Sequence, residues 1–526
     1  MEITAAFLAG ASCVAAWEPI ALPLIAIFSY SVLFFLLLNR RTSFRAGFIS
    51  LSFAIGLHTF GHGWIFDSLL NQAHTGLEFA LIGASIFIGY LAIFTVAPSV
   101  IFVWWINRFS PALSETDMYK TRKLSAYWIS SYMFAALMTL GEFARSLFFN
   151  GFTSLSLGYA FVSSSAKGWI PVLGVYSVSF LVLSVAASAA LVLCRPKSLP
   201  SKAVVISAFV SIVTTIVGGL AFQSVQWVRP EGAPVSFRLI QGNVQQKNKF
   251  AASKLDEQIA SYVDTITLRP ATLIVTPETA LPLYASQLPI DVWQRLNTFS
   301  SDTFSHVFLG IAALSSDSDG YNSIFHIAPN QRQVVKYDKS TLMPFGEYSP
   351  AGFAWFTKRL SISLKDLSPG SANQASFSVQ HSSTSNSALQ VGSLICHEDL
   401  RGQDLRHWLP RVHILLNPSN LSWFDGSIAL SQRIQIVQAR ALESGRPILR
   451  VANTGITAHI DQSGTVLSQL PLQFTGELSG LVQGQTGLTP YAQYGDMPIL
   501  ILLLMIVSCA TSALWFMKNN HFRHTK

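Results

Sequence analysis

The sequence predicts a molecule of two parts, a polytopic α-helical membrane domain and a large α/β domain outside the membrane. Half of the 526 residues are hydrophobic and only 12% are charged, which is too apolar for an ordinary soluble enzyme. Long apolar runs flank one block in which strand-like and helix-like segments alternate. Basic residues gather in alternate loops between the apolar runs. These observations predict both the fold class and the orientation of the chain.

Eight apolar runs have the length and composition expected of membrane spans, the first of them being short. They cover residues 3–17, 20–38, 46–67, 78–106, 125–148, 170–194, 203–226 and 491–516. A cleaved signal peptide is the alternative for the first run, but no basic residue precedes it and a second run follows at once. We therefore predict the following division: a membrane domain of seven helices over 1–228, an extramembrane domain over 229–488, a last membrane helix over 489–517, and a tail over 518–526.

The placement of basic residues predicts the orientation of these spans. With the N-terminus inside, the inner loops and the tail hold most of the basic side chains: Arg40, Arg41, Arg45, Arg108, Lys120, Arg122, Lys123, Arg195, Lys197, Lys202, Lys518, Arg523 and Lys526. The short outer connections hold little beyond Arg145 and Lys167. By the positive-inside rule, both termini are cytoplasmic and the large block lies on the outer face. Because these loops account for most of the net charge of +8, we do not predict nucleic acid as a partner.

The extramembrane block has the pattern of one α/β domain. Strand-like runs occur at VSFRLIQGNV, ATLIVTPE, HVFLGIAAL, SIFHIAP, ALQVGSLICHED, HILLNPS and PILRVAN. Residues 250–267 and 427–445 have the pattern of amphipathic helices. A block of this size can bury a sizeable core.

Three side chains in this block point to acyl transfer. Glu278 follows a strand-like run, Lys339 lies in KYDKSTLMPFGEYSP, and Cys396 ends another strand-like run. A carboxylate base, an ammonium for the oxyanion and a thiol nucleophile can form and resolve a thioester. We expect burial to raise the pKa of Glu278, and Lys339 to lower the pKa of the Cys396 thiol. Taken singly, the three also fit a helix cap, a solvated lysine and an inert buried thiol.

The cysteines predict neither a disulfide nor a metal site in the block. Cys396 is its only cysteine, while Cys13, Cys194 and Cys509 lie in or beside apolar runs. No CxxC pair or His/Cys cluster occurs in the sequence. We expect the chemistry to need no metal and no cofactor.

The motifs resemble the nitrilase (carbon–nitrogen hydrolase) superfamily and, within it, the apolipoprotein N-acyltransferases of the bacterial inner membrane. The matching stretches are QGNVQQ (241–246), TPETALP (276–282), LMPFGEYSP (342–350), ICHE (395–398), NPSNLSWF (417–424), ARALESGRPILRVANTG (439–455) and, in the membrane part, GEFARSLFFNGF (141–152). The resemblance implies an αββα sandwich for the block and a periplasmic position for it.

The resemblance also implies roles for particular residues. Glu278 matches the general base, Lys339 the oxyanion-stabilising lysine and Cys396 the nucleophile. Glu347 matches a glutamate that supports the lysine, and Glu398 matches the glutamate after the cysteine.

Three further residues are expected to contact a substrate. The resemblance implies that Trp423 and Phe424 lie near the acyl site or its lid, and the alternative is that both fill the domain core. Arg145 has the position of a phospholipid head-group ligand, and the alternative is a pair with Glu142 on one helix face.

The activity that the resemblance implies is N-acylation of an apolipoprotein, the last step of lipoprotein maturation. A phospholipid, phosphatidylethanolamine, donates the acyl group to the cysteine thiol, and the α-amine of an S-diacylglyceryl-cysteine then accepts it in a ping-pong reaction. Two alternatives stay open: a membrane-tethered amidase whose acceptor is water, and a divergent paralogue that binds lipid or lipoprotein without catalysis. A membrane-tethered amidase does not need seven spans before its catalytic domain. The presence of all three residues Glu278, Lys339 and Cys396 argues against a paralogue that only binds.

Three stretches depart from the family pattern. Residues 152–154 read Phe-Thr-Ser in place of Phe-Pro-Trp, and His397 stands where tyrosine commonly follows the nucleophile. Residues 420–425 read Asn-Leu-Ser-Trp-Phe-Asp in place of Asn-Asp-Ala-Trp-Phe-Gly. None removes a triad member, so these departures bear on recognition of lipid or lipoprotein and not on the reaction class.

Overall fold

The computed structural model describes residues 1–38, 42–109, 120–193, 201–315, 319–331, 334–358, 366–380 and 388–524. The chain divides into two compact units. The helical unit comprises Met1–Gly63, Leu81–Val225 and Tyr494–Lys526. The sandwich unit comprises Trp64–Ala80 and Gln226–Gln493. The short segment Trp64–Ala80 therefore belongs with the α/β part of the chain, although its two ends lie within predicted membrane runs.

The helices of both units follow in chain order. They are α1 Glu2–Cys13, α2 Leu24–Leu38, α3 Ser43–His62, α4 Trp64–Asp67, α5 Leu77–Phe109, α6 Lys120–Arg145, α7 Ile170–Leu173, α8 Val175–Leu193, α9 Ser201–Val213, α10 Gly219–Gln223, α11 Gln246–Lys249, α12 Ala252–Thr267, α13 Ile290–Thr303, α14 Ala354–Thr357, α15 Ala429–Ser444, α16 Pro490–Tyr494 and α17 Met497–His524.

The predicted apolar runs all contain helix. Within the described part of the chain, three helical stretches are long and apolar enough to cross a membrane: Leu77–Arg108, Val175–Leu193 and Val205–Gln223. Shorter apolar helices cover Glu2–Ala16, Leu24–Leu38 and Met497–Ala513. Helix α5 leaves large apolar side chains such as Ile82, Ile86 and Ile93 more than half exposed, as expected of a surface that meets lipid. The helical unit is thus compatible with a bilayer, and the count of eight spans stays a prediction.

The predicted orientation depends largely on basic side chains that the structure does not describe. Arg40, Arg41, Arg195, Lys197 and Lys526 lie outside the described residues, and the same holds for the side chains of Lys120, Arg122, Lys123, Lys202, Lys518 and Arg523. The inside and outside faces therefore stay predictions.

The strands all lie in the sandwich unit. They are β1 Val228–Pro230, β2 Val235–Gln241, β3 Leu273–Val275, β4 Leu281–Tyr284, β5 His306–Leu314, β6 Gly320–Ile327, β7 Val335–Asp338, β8 Phe377–Gln380, β9 Ala388–Ser393, β10 Ile414–Ser419, β11 Ile448–Ala452, β12 Ala458–Ile460, β13 Val466–Gln469, β14 Gly476–Val482 and β15 Gln485–Gly487. Every predicted strand run contains one of these strands, and α12 and α15 match the two predicted helices.

Two sheets form the centre of the sandwich unit. The first has the order β14-β2-β3-β5-β6-β7, with β4 paired to β5, and the second has the order β13-β12-β11-β10-β9-β8. Strands β2, β3 and β5 are parallel to one another, and so are β9, β10 and β11. The flanking strands are antiparallel. The carboxyl ends of β3 and β9 are where an α/β sheet presents functional groups.

The apolar pattern of the strands explains the layers. Phe237 and Phe308 of the first sheet share one core with Val391 and Leu415 of the second, so the sheets pack face to face. On β3, Leu273 and Val275 point into that core, while Ile274 packs with side chains of α12 and α13 on the other face. This alternation follows from the period of two in a strand. With α15 packed on the second sheet, the unit is an αββα sandwich.

Gly310 on β5 has a steric reason to be glycine. A Cβ built on this residue would lie 1.9 Å from the carbonyl oxygen of Pro277, on the segment that follows β3. Because the two backbones approach so closely, the segment after β3 can run alongside β5.

We expect Gly310→Ala to lower the midpoint of thermal unfolding, at a cost of about 1–3 kcal/mol, because the backbone at Pro277 has to move. Unfolding of the purified protein in detergent, followed by circular dichroism, measures this. Gly76→Ala is the matched control, since a Cβ there meets nothing within 4 Å. Equal midpoints for the two variants would contradict the packing argument.

Candidate functional site

Cys396 occupies a strained turn directly after β9. Its φ of +49° lies in the left-handed region that non-glycine residues seldom adopt. Its side chain is buried. The Arg433 guanidinium donates to the Cys396 carbonyl oxygen at 3.0 Å and forms an ion pair with Asp399 at 2.5 Å. These contacts help to hold the thiol in one position.

Glu278 lies just beyond β3, on a segment that is tied to β5. The amide of Gly310 donates to Thr276 Oγ1 at 2.9 Å, which fixes the chain before Glu278. The carboxylate itself is buried. Its Oε1 accepts from Asn322 Nδ2 and its Oε2 from the amide of Asn420, both at 2.7 Å. Both oxygens therefore have partners within the protein.

Lys339 begins the loop after β7 and places its ammonium between two carboxylates. Its Nζ lies 3.1 Å from Glu278 Oε1 and 2.8 Å from Glu347 Oε2. Asn322 Nδ2 also donates to both glutamates, at 2.7 Å in each case. The side chain of Lys339 is only 1% exposed. Glu347 thus has the place expected of a glutamate that supports the lysine.

Glu398 links the loop of the lysine to the turn of the cysteine. Its Oε1 accepts from the amides of Ser340 and Thr341, at 2.8 and 3.1 Å, and from the Tyr337 hydroxyl at 2.8 Å. Its Oε2 accepts from the amide of Ile395 at 2.6 Å. One buried carboxylate therefore holds the two loops together. Burial raises the pKa of Glu398 to about 7.

The electrostatics of the site correct two expectations. Burial alone would raise the pKa of Glu278, but the Lys339 ammonium and the Asn322 amide outweigh it and lower the pKa. Burial, followed by the charge of Glu278, raises the pKa of Cys396 to about 12, and Lys339 offsets only part of this rise. The resting site therefore holds a neutral thiol beside an ionised carboxylate. Both expectations were wrong because they considered one contribution in isolation.

Lys339 itself stays charged. Burial alone would lower its pKa, but the carboxylates of Glu278 and Glu347 outweigh burial and raise the pKa. An ammonium that cannot lose its proton is a permanent hydrogen-bond donor, which suits stabilisation of an oxyanion.

Two buried polar residues and one partly buried arginine at this site carry no signal in the sequence. Asn322 bridges the two glutamates from β6, and Arg433 reaches the cysteine turn from α15. Lys249, at the end of α11, donates to the carbonyl oxygen of Glu278 at 3.1 Å and is 2% exposed. Nothing in the local pattern separates these residues from polar side chains that face water.

Trp423 and Phe424 pack against the segment Trp64–Ala80. The ring of Phe424 lies 4.5 Å from that of Trp64, centroid to centroid. The carbonyl oxygen of Trp423 accepts from Ser68 Oγ at 2.6 Å. Both aromatic side chains are half-buried: Phe424 packs against the inter-sheet core, and Trp423 packs against the cluster of Leu69, Ala73 and Ala80. Their proposed place near the acyl site stays a prediction.

The segment that departs from the family pattern contributes directly to the site. The Asn420 amide donates to Glu278, and Asn420 Oδ1 accepts from Ser422 Oγ at 2.8 Å and from Asn453 Nδ2 at 3.2 Å. Ser422, one of the residues outside the usual pattern, therefore helps to position a hydrogen-bond donor to the carboxylate. His397, another departure, is buried beside the nucleophile in sequence.

Arg145 and Glu142 both bond to one loop of the helical unit. Arg145 Nη2 donates to Ser156 Oγ at 3.0 Å and to the carbonyl oxygen of Thr153 at 3.4 Å. Glu142 Oε1 accepts from the amide of Leu157 at 3.0 Å. Arg145 is 4% exposed, so its bonds hold this loop on α6. A head-group role for Arg145 stays a prediction.

The chain matches two family models in order along its length. Residues 9–188 match the apolipoprotein N-acyltransferase N-terminal domain, and residues 238–489 match the carbon–nitrogen hydrolase domain. Among solved structures, an amidase from Nesterenkonia sp. AN1 in complex with butyramide covers 51% of this chain and 97% of its own, at 16% identity and a TM-score of 0.36.

Relatives that match over most of the chain are named apolipoprotein N-acyltransferase, the name that also describes the first of these two domains. The apolipoprotein N-acyltransferase of Nitrosomonas europaea is 33% identical over 516 residues, covering 97% of each chain. That of Ralstonia nicotianae is 33% identical over 456 residues, covering 86% of this chain and 82% of its own. Since the similarity extends over nearly the whole chain and both domains, the chain belongs to the apolipoprotein N-acyltransferase family.

Proposed function

We propose that this acyltransferase moves an acyl chain from a phospholipid to the α-amine of an S-diacylglyceryl-cysteine, through a thioester on Cys396. The observation that carries the proposal is the Lys339 ammonium, held 3.1 Å from Glu278 and 2.8 Å from Glu347 in the same buried site as a thiol on a strained turn. A base, a fixed donor and a nucleophile are the parts that acyl transfer requires.

In the first half-reaction, Glu278 takes the thiol proton as the sulfur attacks the ester carbon of the phospholipid. The thiol pKa of about 12 supports a proton transfer that is concerted with attack, since free thiolate is scarce at neutral pH. Lys339 donates to the oxyanion of the tetrahedral intermediate. The C–O bond then breaks, Glu278 returns the proton to the leaving lysophospholipid, and the thioester remains on Cys396.

In the second half-reaction, the amine of the lipoprotein attacks the thioester carbon. Glu278 takes a proton from the attacking nitrogen and Lys339 again donates to the oxyanion. The C–S bond breaks, and the proton passes from Glu278 to the sulfur. Glu347 and Glu398 are positioning residues here, since one holds the lysine and the other holds the two loops.

The proposal places the protein in the bacterial inner membrane, with both termini cytoplasmic and the sandwich unit in the periplasm. Both substrates are lipids, so an active site near the outer leaflet can meet them. We propose that Trp423 and Phe424, half-buried on a loop of the sandwich unit, contact the acyl chain. The placement of Arg145 near a head group belongs to the same proposal.

The thioester can be detected directly. Purified protein incubated with phosphatidylethanolamine vesicles should gain the mass of one acyl chain in intact-mass spectrometry, because the thiol keeps the chain until an amine arrives. Hydroxylamine should remove it. Cys396→Ala is the control and should gain nothing. A folded wild-type protein that gains no mass, or that hydrolyses phospholipid without an adduct, would sink the mechanism.

A second prediction concerns the pH dependence of acylation. Asn322→Leu removes a hydrogen bond that lowers the pKa of Glu278, so this pKa should rise. A carboxylate must be ionised to act as base, so the acidic limb of the acylation rate should move to higher pH. The variant should also lose about 1–3 kcal/mol of stability, since buried acceptors lose a donor.

The pH profile of acyl-enzyme formation, followed by rapid quench and mass spectrometry, measures this shift. Asn297→Leu is a matched control, since the amide that it removes donates to the Trp293 carbonyl within α13, away from Glu278. If the acidic limb of the pH profile does not move in Asn322→Leu, then the hydrogen bond from Asn322 does not control the pKa of Glu278.

A further inference from the structure

A second buried lysine lies beside the catalytic residues and has no part in the reaction described so far. Lys249 is 2% exposed, and its Nζ donates to the carbonyl oxygen of Glu278 at 3.1 Å. Within the described ranges of the chain, no carboxylate lies within ion-pair distance of this nitrogen. Its one hydrogen-bond acceptor there is a neutral carbonyl.

The two buried lysines of the site therefore differ in kind. Lys339 is neutralised by two carboxylates, whereas Lys249 would be a buried ammonium without a paired charge, which is costly. Burial accordingly lowers the pKa of Lys249 to about 7, although Glu278 and Cys396 oppose this when they are ionised. A lysine with such a pKa exists partly as a neutral amine at neutral pH, and a neutral amine is a base.

Acylation of the cysteine leaves the charge beside Lys249 unchanged. Glu278 and Cys396 are the titratable groups that interact with it. The Cys396 thiol is already neutral in the resting site, and a thioester cannot ionise. The environment that favours a neutral Lys249 therefore persists at the stage when the acceptor arrives.

At neutral pH the acceptor amine carries an extra proton, which must leave before the nitrogen can attack. A water nucleophile carries no such extra proton. An α-amine has a pKa of about 8, so at neutral pH most of it is ammonium and cannot attack a carbonyl carbon. Two protons must leave the nitrogen, one before attack and one as the amide forms. Glu278 accepts the second of these in the proposed mechanism, and the first needs another base.

We propose that Lys249 accepts the first proton from the acceptor ammonium. The neutral Nζ takes one proton from the ammonium, and the freed amine attacks the thioester carbon. Glu278 then takes the second proton and passes it to the sulfur as the C–S bond breaks. Lys249 finally releases its proton to solvent, so the charges balance. This inference rests on the proposed function and supplies a base specific to transfer onto amines.

The test separates acylation from transfer, using Lys249→Met and Lys249→Arg. Arginine keeps the positive charge but cannot accept a proton. Each protein is first loaded from phosphatidylethanolamine vesicles, and the acyl-enzyme is measured by intact mass. The loaded protein is then mixed with a diacylglyceryl-cysteine peptide, or with hydroxylamine, which is uncharged near neutral pH. Lys254→Met, at an exposed position on α12, is the matched control.

We expect both variants to form the acyl-enzyme and to discharge it to hydroxylamine, and we compare the peptide rate with the hydroxylamine rate in the same protein. This ratio should be about tenfold lower than in the wild type between about pH 7 and pH 8, where Lys249 is largely neutral and the acceptor is largely ammonium, and it should recover above the amine pKa of about 8. Wild-type transfer rates in Lys249→Arg would overturn the inference, as would equal slowing toward both nucleophiles or failure of both variants to acylate. Absence of an acyl-enzyme in the wild type would instead overturn the proposed function.

Discussion

The burial of one ammonium between two carboxylates is the constraint on which the catalytic site depends. Lys339, at the start of the loop after β7, pairs with Glu278 beyond β3 and with Glu347 further along its own loop. Removing either partner would leave a buried charge poorly paired, at a cost of about 3–5 kcal/mol. The loop after β7 and the segment after β3 are therefore held in one arrangement. Asn322 adds to this by donating to both carboxylates, so the base and the donor are fixed before a substrate arrives.

The same charge balance explains why the thiol rests in its neutral form. Burial and the ionised Glu278 both disfavour a thiolate, and the Lys339 ammonium is largely occupied by its two carboxylates. A neutral thiol is less exposed to oxidation and to unwanted reactions than a thiolate. In the proposed mechanism, deprotonation coincides with attack on a bound ester, and the developing oxyanion accepts a hydrogen bond from the ammonium.

A segment from the first part of the chain completes the surroundings of the sandwich unit. Trp64–Ala80 packs on the loop of Trp423 and Phe424 and shares a small apolar cluster with Phe345 and Phe356. These aromatic side chains come from regions that are far apart in sequence. The arrangement gives the sandwich unit a small apolar cluster built from three segments of the chain.

The sequence by itself determined the two-part architecture, the seven central strands and the choice of Glu278, Lys339 and Cys396, which the fold brings into one buried site. These features are local: apolar runs reveal strands and helices, and Glu278 and Cys396 follow strands whose carboxyl ends meet in an α/β sheet. Tertiary structure alone decided which polar residues lie beside them. Asn322 and Lys249 have the sequence pattern of solvated side chains, but the fold buries both, and it brings the partly buried Arg433 to the cysteine turn.

Tertiary structure also decided the direction of the pKa shifts and the place of Trp64–Ala80. The pKa of Glu278 falls because the Lys339 ammonium and the Asn322 amide outweigh burial, and that balance depends on distances of about 3 Å between atoms that are far apart in sequence. The segment Trp64–Ala80 begins within an apolar run predicted to cross the membrane, yet it packs on the sandwich unit. The hydrophobicity of this segment predicts that it will be buried, but only the tertiary structure determines which residues bury it.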